Sequence, residues 1–143
     1  MRIGRLENEN FFELVKFMNY YRAEVNEPPL DAEYIAGLYD GVESGDIAFY
    51  VVTENDNIVG MCSVSVLYSS YKCAYAGFLD NAYILPDYRK RGIFRRLIDY
   101  VFAALEGNGV KSLFTISSSI DEGMYKSLGF DDKLGVLLAR SAK

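Results

Sequence analysis

Five basic residues crowd one short stretch of this acidic chain, and their chemistry favours an anion. Arg89, Lys90 and Arg91 come between an apolar run and a helical pattern, and Arg95 and Arg96 follow one turn later. The start of a helix leaves backbone N–H groups unpaired and carries a partial positive charge. Such a helix start binds phosphate or pyrophosphate. Because this stretch holds five of the 15 Lys and Arg residues in a chain of net charge −5, it predicts a phosphate-bearing ligand.

The absence of histidine narrows the remaining chemistry. Ser-His-Asp and Cys-His catalysis are excluded, and the commonest metal ligand is missing. Cys62 and Cys73 form no C-x-x-C pair, so we expect no metal site. Carboxylates, tyrosines, backbone amides or a bound cofactor must therefore do any chemistry.

Composition also limits the partners and the location. The acidic balance argues against nucleic acid as the main partner. No apolar run approaches the length that crosses a membrane, and the N-terminus lacks the apolar stretch of a secretory signal. We therefore expect a cytoplasmic protein that binds neither nucleic acid nor membrane.

The elements that position the basic turn follow from residue spacing and turn chemistry. In chain order they are a strand over 2–6, helices over 10–22 and 31–45, strands over 47–53, 58–68 and 75–85, a helix from 93, a strand over 110–116, a short helix ending near 128 and a strand over 135–140. The three middle strands are expected to be antiparallel, and the unit around the basic turn is expected to be a right-handed parallel crossover. This order predicts one α/β domain over residues 1–143. Its mixed, mostly antiparallel sheet has 6–7 strands and is flanked by about four helices.

A signature around the basic turn is similar to that of a known family. Arg89-x-x-Gly92-x-Phe94 resembles the R/Q-x-x-G-x-G/A pattern of the GNAT family of N-acetyltransferases, and Ile84-x-Pro86 resembles its lead-in. A bulky residue at the last position, Phe94, is compatible with the pattern if its side chain points away from the phosphates. Backbone amides, and not side chains, do the binding there.

A second signature supports the same resemblance. Tyr125-x-x-x-Gly129-Phe130 resembles the family's Y-x-x-x-G-F pattern and lies 33 residues after Gly92. Ser118 stands where the family often has Asn, which is a departure from the pattern. The resemblance is specific from about Asp80 to Phe130.

The resemblance implies acetyl-CoA as the donor and a primary amine, of a small molecule or a protein, as the acceptor. It implies that pantetheine lies beside the strand ending at Leu85, which requires the sheet to splay between Ile84 and the strand that begins at Val110. The residues expected to bind the cofactor are Ile84, Leu85, Arg89, Lys90, Arg91, Gly92, Ile93, Phe94 and Arg95.

Two residues are candidates for proton transfer. Asp80 is the best candidate for the base that deprotonates the amine, and in an extended strand it shares a face with Ala82 and Ile84. A solvated strand carboxylate or a turn partner for Asn81 is its alternative role. Tyr125 matches the pKa of a thiol leaving group and carries the family's general-acid role, whereas a core tyrosine is its alternative. Phe78 stands where some family members have a strand Glu.

The acceptor site and the wider function stay open. Carboxylates and tyrosines suited to an ammonium group are Glu24, Glu27, Tyr34, Tyr68, Tyr71 and Tyr75. A non-catalytic acyl-CoA binding or sensing module is one alternative function, and a small α/β interaction domain is another. A homodimer is one expected assembly.

Overall fold

The sheet at the centre of the fold has five strands among the residues that the structure describes. The computed structural model describes residues 1–70 and 72–142. The elements, in chain order, are β1 (Arg2–Arg5), α1 (Phe11–Glu24), α2 (Ala32–Ser44), β2 (Ala48–Glu54), β3 (Asn57–Ser69), β4 (Ala74–Ile84), α3 (Ile93–Glu106), β5 (Val110–Thr115) and α4 (Glu122–Ser127). Neighbouring strands follow chain order, with β1 to β4 antiparallel and β5 parallel to β4. The predicted α/β class and the mixed, mostly antiparallel sheet are therefore confirmed.

Cap and turn residues set the bounds of the early elements. The Asp31 side chain accepts the backbone N–H of Tyr34 at 2.8 Å and caps α2, which ends at Gly45 with a φ of 83°. Asn55 and Asp56 have positive φ values of 51° and 64°, which suit a two-residue turn between antiparallel strands. The predicted second helix and the hairpin after it are therefore confirmed.

Two helical layers cover opposite faces of the sheet. Phe11 of α1 packs with Met61 on one face, in a cluster to which α2 also contributes. On the other face, Leu97 of α3 packs with Leu79 of β4 and has no exposed surface. Truncating such a leucine to alanine costs about 2–5 kcal/mol. This packing fixes the start of α3 against the end of β4.

A β-bulge gives β4 one residue more than its partner β3. The register shifts by one residue between the Ser63–Asp80 pair and the Met61–Tyr83 pair. Asn81, in the bulge, has a φ of 49°, and its Nδ2 donates to Ser63 Oγ at 3.3 Å. The extra residue reverses the alternation of β4 beyond this point.

The bulge corrects one prediction about Asp80. Leu79 packs on the α3 side, so Asp80 faces the α1 and α2 side. Beyond the bulge, Tyr83 also packs on the α1 side, whereas Ala82 and Ile84 pack on the α3 side. The prediction that Asp80 shares a face with Ala82 and Ile84 is therefore wrong, because it assumed an uninterrupted strand.

Strands β4 and β5 separate after the Leu79–Thr115 pair. β4 continues to Ile84, and within the described ranges no strand pairs with Asp80–Ile84 on the β5 side. The sheet is therefore open beside Ile84, as the sequence predicts.

The strand count of 6–7 is wrong, because the described residues form five strands. Residues 135–140, predicted as the last strand, have no regular secondary structure. A β-rich apolar composition predicts a strand, but a strand also needs a partner, and no described strand pairs with 135–140. The four α-helices among the described residues agree with the predicted number of about four. In the part of the chain that the structure describes, no helix has the length and apolarity to cross a bilayer.

Candidate active site

The turn between β4 and α3 has an unusual backbone. It passes through a 3₁₀ turn at Pro86–Tyr88, and Lys90 and Gly92 then adopt positive φ values of 63° and 75°. Gly92 is the N-cap residue of α3, and its carbonyl accepts the N–H of Arg96 at 3.2 Å. A Cβ at Gly92 would meet no atom within 4 Å, so its backbone conformation explains the glycine.

Three backbone N–H groups at the start of α3 have no partner within residues 1–70 and 72–142. Those of Ile93, Phe94 and Arg95 have no acceptor among the described residues. They lie at the positive end of a 14-residue helix. This arrangement can hold a phosphate or pyrophosphate group, as the sequence predicts for this turn.

The nearby cations make contacts within the protein. Arg95 donates to the carbonyl of Ser127 at 2.8 Å and so joins α3 to α4. The Arg91 guanidinium lies 5.3 Å from the centroid of the Tyr88 ring, and Lys90 is exposed. Backbone amides are therefore the main anion-binding groups that the turn presents.

Arg89 lies differently from its predicted position at the pyrophosphate. Its Nε donates to the carbonyl of Ile84 at 2.8 Å, and its Nη2 lies 2.9 Å from Glu24 Oε2. The guanidinium also lies 5.4 Å from the centroid of the Tyr83 ring. The hydrogen bond between the two side chains lowers the pKa of Glu24 and raises that of Arg89. Arg89 thus joins the turn to the ends of β4 and α1.

Beyond the bulge, the backbone groups of β4 alternate between β3 and the opening. The N–H of Leu85 donates to Val59 at 3.0 Å, and its carbonyl accepts from Tyr88 at 2.9 Å. Leu85, predicted as a backbone partner of the cofactor, therefore has both groups bound within the protein. Because N–H groups alternate between the two edges of a strand, the N–H of Ile84 faces the opening.

Tyr125 lies where β4 and β5 separate. Its ring packs between Phe94 and Phe130, with centroid distances of 6.0 and 5.6 Å. The Phe94 side chain thus packs against α4, which leaves its N–H at the turn. Burial raises the pKa of Tyr125, and a hydrogen bond with Thr115 acts in the opposite direction. Thr115 Oγ1 in turn donates to the carbonyl of Leu79 at 3.0 Å.

Asp80 lies within electrostatic reach of tyrosines from two helices. Burial raises the pKa of Tyr21 on α1, and the charge of Asp80 raises it further. The same charge adds to the effect of burial on the pKa of Tyr125. The ring of Tyr21 also packs 5.3 Å from that of Tyr83. The charge of Asp80 therefore reaches Tyr125 and Tyr21, and the catalytic roles of Asp80 and Tyr125 stay predictions.

Sequence reasoning missed Tyr21 as a site residue. Its spacing with Phe11, Leu14 and Met18 predicts only an apolar helix face. No motif marks it. Only the packing of the last turns of α1 over the end of β4 brings its hydroxyl to the site.

The other residues suggested for the acceptor are mostly elsewhere. Tyr68 and Tyr75 pair with each other at 5.2 Å across β3 and β4. Tyr75 is five residues from Asp80, or about 17 Å along the strand. Glu24 is bound to Arg89, Glu27 and Tyr34 are exposed, and Tyr71 lies outside the described residues.

Comparison with solved structures shows the same fold in several acetyltransferases. An aminoglycoside acetyltransferase from an uncultured soil metagenomic sample, in complex with sisomicin, has a TM-score of 0.85 and 14% identity, over 99% of this chain and 95% of that chain. A predicted acetyltransferase with acetyl-CoA from Clostridium acetobutylicum has a TM-score of 0.81 and 17% identity, over 97% and 95%. Glucosamine-6-phosphate N-acetyltransferase from Arabidopsis thaliana has a TM-score of 0.77 and 13% identity, over 99% and 98%.

Comparison of sequences identifies the family. No curated protein sequence matches. A family model for the acetyltransferase (GNAT) domain matches residues 45–132, which is more than half of the chain and includes both signatures. The unpaired amides at the start of α3 and the separation of β4 from β5 lie within the matched residues. The chain therefore belongs to the GNAT family of acetyltransferases.

Proposed function

We propose that this protein is an acetyl-CoA-dependent N-acetyltransferase that acetylates a primary amine within a ternary complex. One observation carries the proposal. Unpaired N–H groups at Ile93–Arg95 lie next to an open sheet edge, and the charge of Asp80 on that strand is near enough to raise the pKa of Tyr125. An anion site near two groups that can transfer protons suits a reaction that uses a diphosphate-bearing donor. The cytoplasmic location expected from the sequence stays a prediction.

The residues present fit the donor. The amides of Ile93, Phe94 and Arg95 would hold the pyrophosphate, and the N–H of Ile84 would bind along the open edge of β4. When bound, acetyl-CoA supplies the acetyl group as an activated thioester. The N–H of Ile84 is also suited to stabilise negative charge that develops on an oxygen in the opening.

Asp80 and Tyr125 have different roles in proton transfer, Asp80 as the base and Tyr125 as the acid. An alkylammonium group has a pKa of about 10.4, so the acceptor must lose a proton before it attacks. The exposed carboxylate of Asp80 can attract the ammonium group and receive that proton, directly or through water. Because its pKa is raised, Tyr125 stays protonated at neutral pH and holds a proton for the thiolate that leaves.

The chemical class of the acceptor follows from the same residues. Asp80 supplies negative charge, and the rings of Tyr21 and Tyr83 pack together beside it. A carboxylate with aromatic rings favours a cationic amine. Two of the structural neighbours are named for acceptors that carry amines, an aminoglycoside and glucosamine-6-phosphate. These names support a small-molecule amine, and a protein amino group is the alternative acceptor.

A non-catalytic acyl-CoA binding or sensing module on the same fold is the second candidate. Phe78, which stands where some family members have Glu, is half-buried and pairs with Phe114 of β5. It therefore supplies no base. In a sensor, the same amides would bind the diphosphate, but no transfer would follow.

Calorimetry and product analysis separate the candidates. We expect heat of binding from CoA and acetyl-CoA, and an acetylated product when a panel of primary amines is analysed by mass spectrometry. Binding without any acetylated product would favour the sensing module. The absence of heat and of thermal stabilisation by CoA would overturn both and favour an interaction domain.

A further inference from the structure

A cavity of about 290 Å³ lies beside the last turn of α3, on the face of the sheet that α3 covers. It is bordered by the end of β1 and by the first residues of β2, β4 and β5. The unpaired amides and Ile84 lie at the opposite ends of α3 and β4. Ile93 and Leu105 are 12 residues apart in α3, or about 18 Å. The cavity is therefore separate from the anion-binding turn.

The walls of the cavity are mostly aliphatic. The described side chains of this kind are Ala48, Val64, Val66, Leu105 and Val110. Val64, Leu105 and Val110 also belong to the buried core on the α3 side, which fixes their positions. Sites for small organic molecules have mainly apolar walls and a few polar groups that orient the ligand. Because drug-sized ligands fill about 300–1000 Å³, this cavity suits a smaller molecule.

Arg5 of β1 and Tyr50 of β2 supply polar groups to one wall. The two residues pair directly in the antiparallel register, so their side chains are neighbours on the same face of the sheet. Burial raises the pKa of Tyr50, and the positive charge of Arg5 acts in the opposite direction, which agrees with this proximity. Among the described residues that line the cavity, none is acidic and Arg5 alone is charged.

The Tyr50 hydroxyl has no hydrogen-bond partner among the described residues, although Tyr50 is only 7% exposed. In the same part of the chain, no fully buried side-chain oxygen or nitrogen lacks a partner. The hydroxyl therefore opens to the cavity that Tyr50 lines. Enclosed polar groups in folded proteins have hydrogen-bond partners, and here a molecule in the cavity can supply one.

The end of α3 adds little negative charge to the cavity. Its last four carbonyls, at residues 103–106, each accept a hydrogen bond from residues 107–109. One of these bonds comes from the side chain of Asn108, whose Nδ2 lies 3.0 Å from the carbonyl oxygen of Ala104. Unpaired carbonyls carry the partial negative charge of a helix end, so this pairing reduces it. The charge of the cavity is therefore set by Arg5 and is positive.

We propose that this cavity binds a small carboxylate with an apolar body. The guanidinium of Arg5 and the hydroxyl of Tyr50 hold the carboxylate, and the aliphatic walls enclose the rest of the molecule. A single guanidinium matches a carboxylate through two parallel hydrogen bonds. An inorganic phosphate would leave the apolar walls unfilled. The inference does not rest on the acyl-transfer proposal, because the cavity shares no residue with that site.

NMR titration of the nitrogen-labelled full chain tests the proposal with phenylacetate, hexanoate and benzoate as probes. We expect at least one of these carboxylates to shift the amide signals of Gly45, Tyr50 and Leu105 and to reach saturation at millimolar concentration or below. The amide of the same acid, which keeps the shape and loses the charge, should bind at least about tenfold more weakly, as should inorganic phosphate. The proposal is overturned if no carboxylate gives a saturable shift, or if the uncharged amide or phosphate binds equally well.

Substitutions assign the binding to the named residues. Arg5→Gln should weaken the carboxylate at least about tenfold, because it removes the charge that pairs with it. Arg2→Gln is the matched control, because Arg2 lies on the same strand but on the opposite face of the sheet, 3.8 Å from Asp56. Tyr50→Phe should weaken binding about threefold to tenfold through the loss of one hydrogen bond.

Val66→Trp tests the cavity itself. Val66 is 49% exposed on the wall, so a larger side chain there should fill the cavity and abolish binding without unfolding the protein. Thermal unfolding of each variant without ligand checks its fold. An Arg5→Gln variant that keeps its affinity for the carboxylate, an Arg2→Gln variant that loses as much, or a folded Val66→Trp variant that binds normally would each contradict the assignment.

Discussion

Arg89 and Glu24 join the basic turn to the last turn of α1, with 2.9 Å between Nη2 and Oε2. The two side chains are 42% and 41% exposed, so the pair contributes about 0–1 kcal/mol to folding. The main effect of the pair is to position α1 relative to the end of β4. The same guanidinium holds the carbonyl of Ile84, so α1 and the end of β4 border the opening in a fixed arrangement.

Glu24→Gln should reduce stability in a pH-dependent way. Arg89 lowers the pKa of Glu24 below its usual 4.5 in the folded protein. A carboxyl group whose folded pKa is lowered stabilises the fold above its unfolded pKa, and this effect is lost as pH falls through the folded value. We expect a loss of up to about 1 kcal/mol at pH 7 that disappears in acid, measured by urea unfolding. Glu27→Gln is the control, and a Glu24→Gln effect that is constant with pH would contradict the assignment.

Tyr125→Phe should lower turnover and leave donor binding nearly unchanged. Loss of a positioned general acid costs about 10²–10⁴ in kcat. Because burial raises the pKa of Tyr125, the wild type should show no loss of activity from its ionisation below about pH 10. Steady-state kinetics and calorimetry with CoA measure the two effects. Tyr100→Phe, at an exposed position of α3, should change neither, and a Tyr125→Phe enzyme of normal kcat would remove Tyr125 from the mechanism.

Asp80→Asn should lower the pKa of Tyr21 and of Tyr125. The negative charge of Asp80 raises both values in the folded protein, so its removal shifts them towards the usual value of 10.0. Ultraviolet absorbance of tyrosinate measures the titration without any substrate. We also expect a loss of about tenfold or more in kcat/KM for the amine. Asp132→Asn serves as the control, and an unchanged titration after Asp80→Asn would show that the carboxylate lies too far away.

Gly92→Ala and Gly37→Ala should have opposite effects on stability. A Cβ meets no atom within 4 Å at either position, but Gly92 has a φ of 75° whereas Gly37 lies in the middle of α2. Strain at positive φ costs about 1–2 kcal/mol, and removal of a glycine from a helix interior gains about 1 kcal/mol. Thermal unfolding measures whether each substitution raises or lowers the stability. If Gly92→Ala were neutral, the left-handed cap of α3 would be refuted.

The sequence predicts the parts of the fold that depend on local spacing. The helix after Gly92, the cap at Asp31 and the hairpin turn at Asn55 all follow from residue types that favour those conformations. The unpaired amides at the start of α3 are predictable for the same reason, because a helix start needs no distant residue. Tyr125 lies in a recognisable signature, and the catalytic roles of Tyr125 and Asp80 stay predictions.

Features that depend on long-range packing are not predictable from the sequence. The position of Arg89 depends on Glu24, which is 65 residues away in the chain. The role of Tyr21 needs α1 to end over β4. The prediction of a strand over 135–140 is wrong for a related reason. Its composition is typical of a strand, but whether a strand forms depends on pairing with a distant segment, which local spacing does not reveal.

The single inserted residue at Asn81 divides β4 into a part that pairs with β5 and a part that borders the opening. Before it, the outward backbone groups belong to β5 as ordinary sheet structure. After it, the alternation is shifted by one residue. The N–H of Ile84 therefore faces the opening beside β4, and the N–H of Leu85 faces β3. If the register of the Ser63–Asp80 pair continued to the end of β4, the N–H of Leu85 would face the opening and that of Ile84 would face β3. The open edge beside Ile84 is thus encoded as a one-residue shift in the alternation of β4, and distant relatives with the same opening are better sought by that shift than by their side chains.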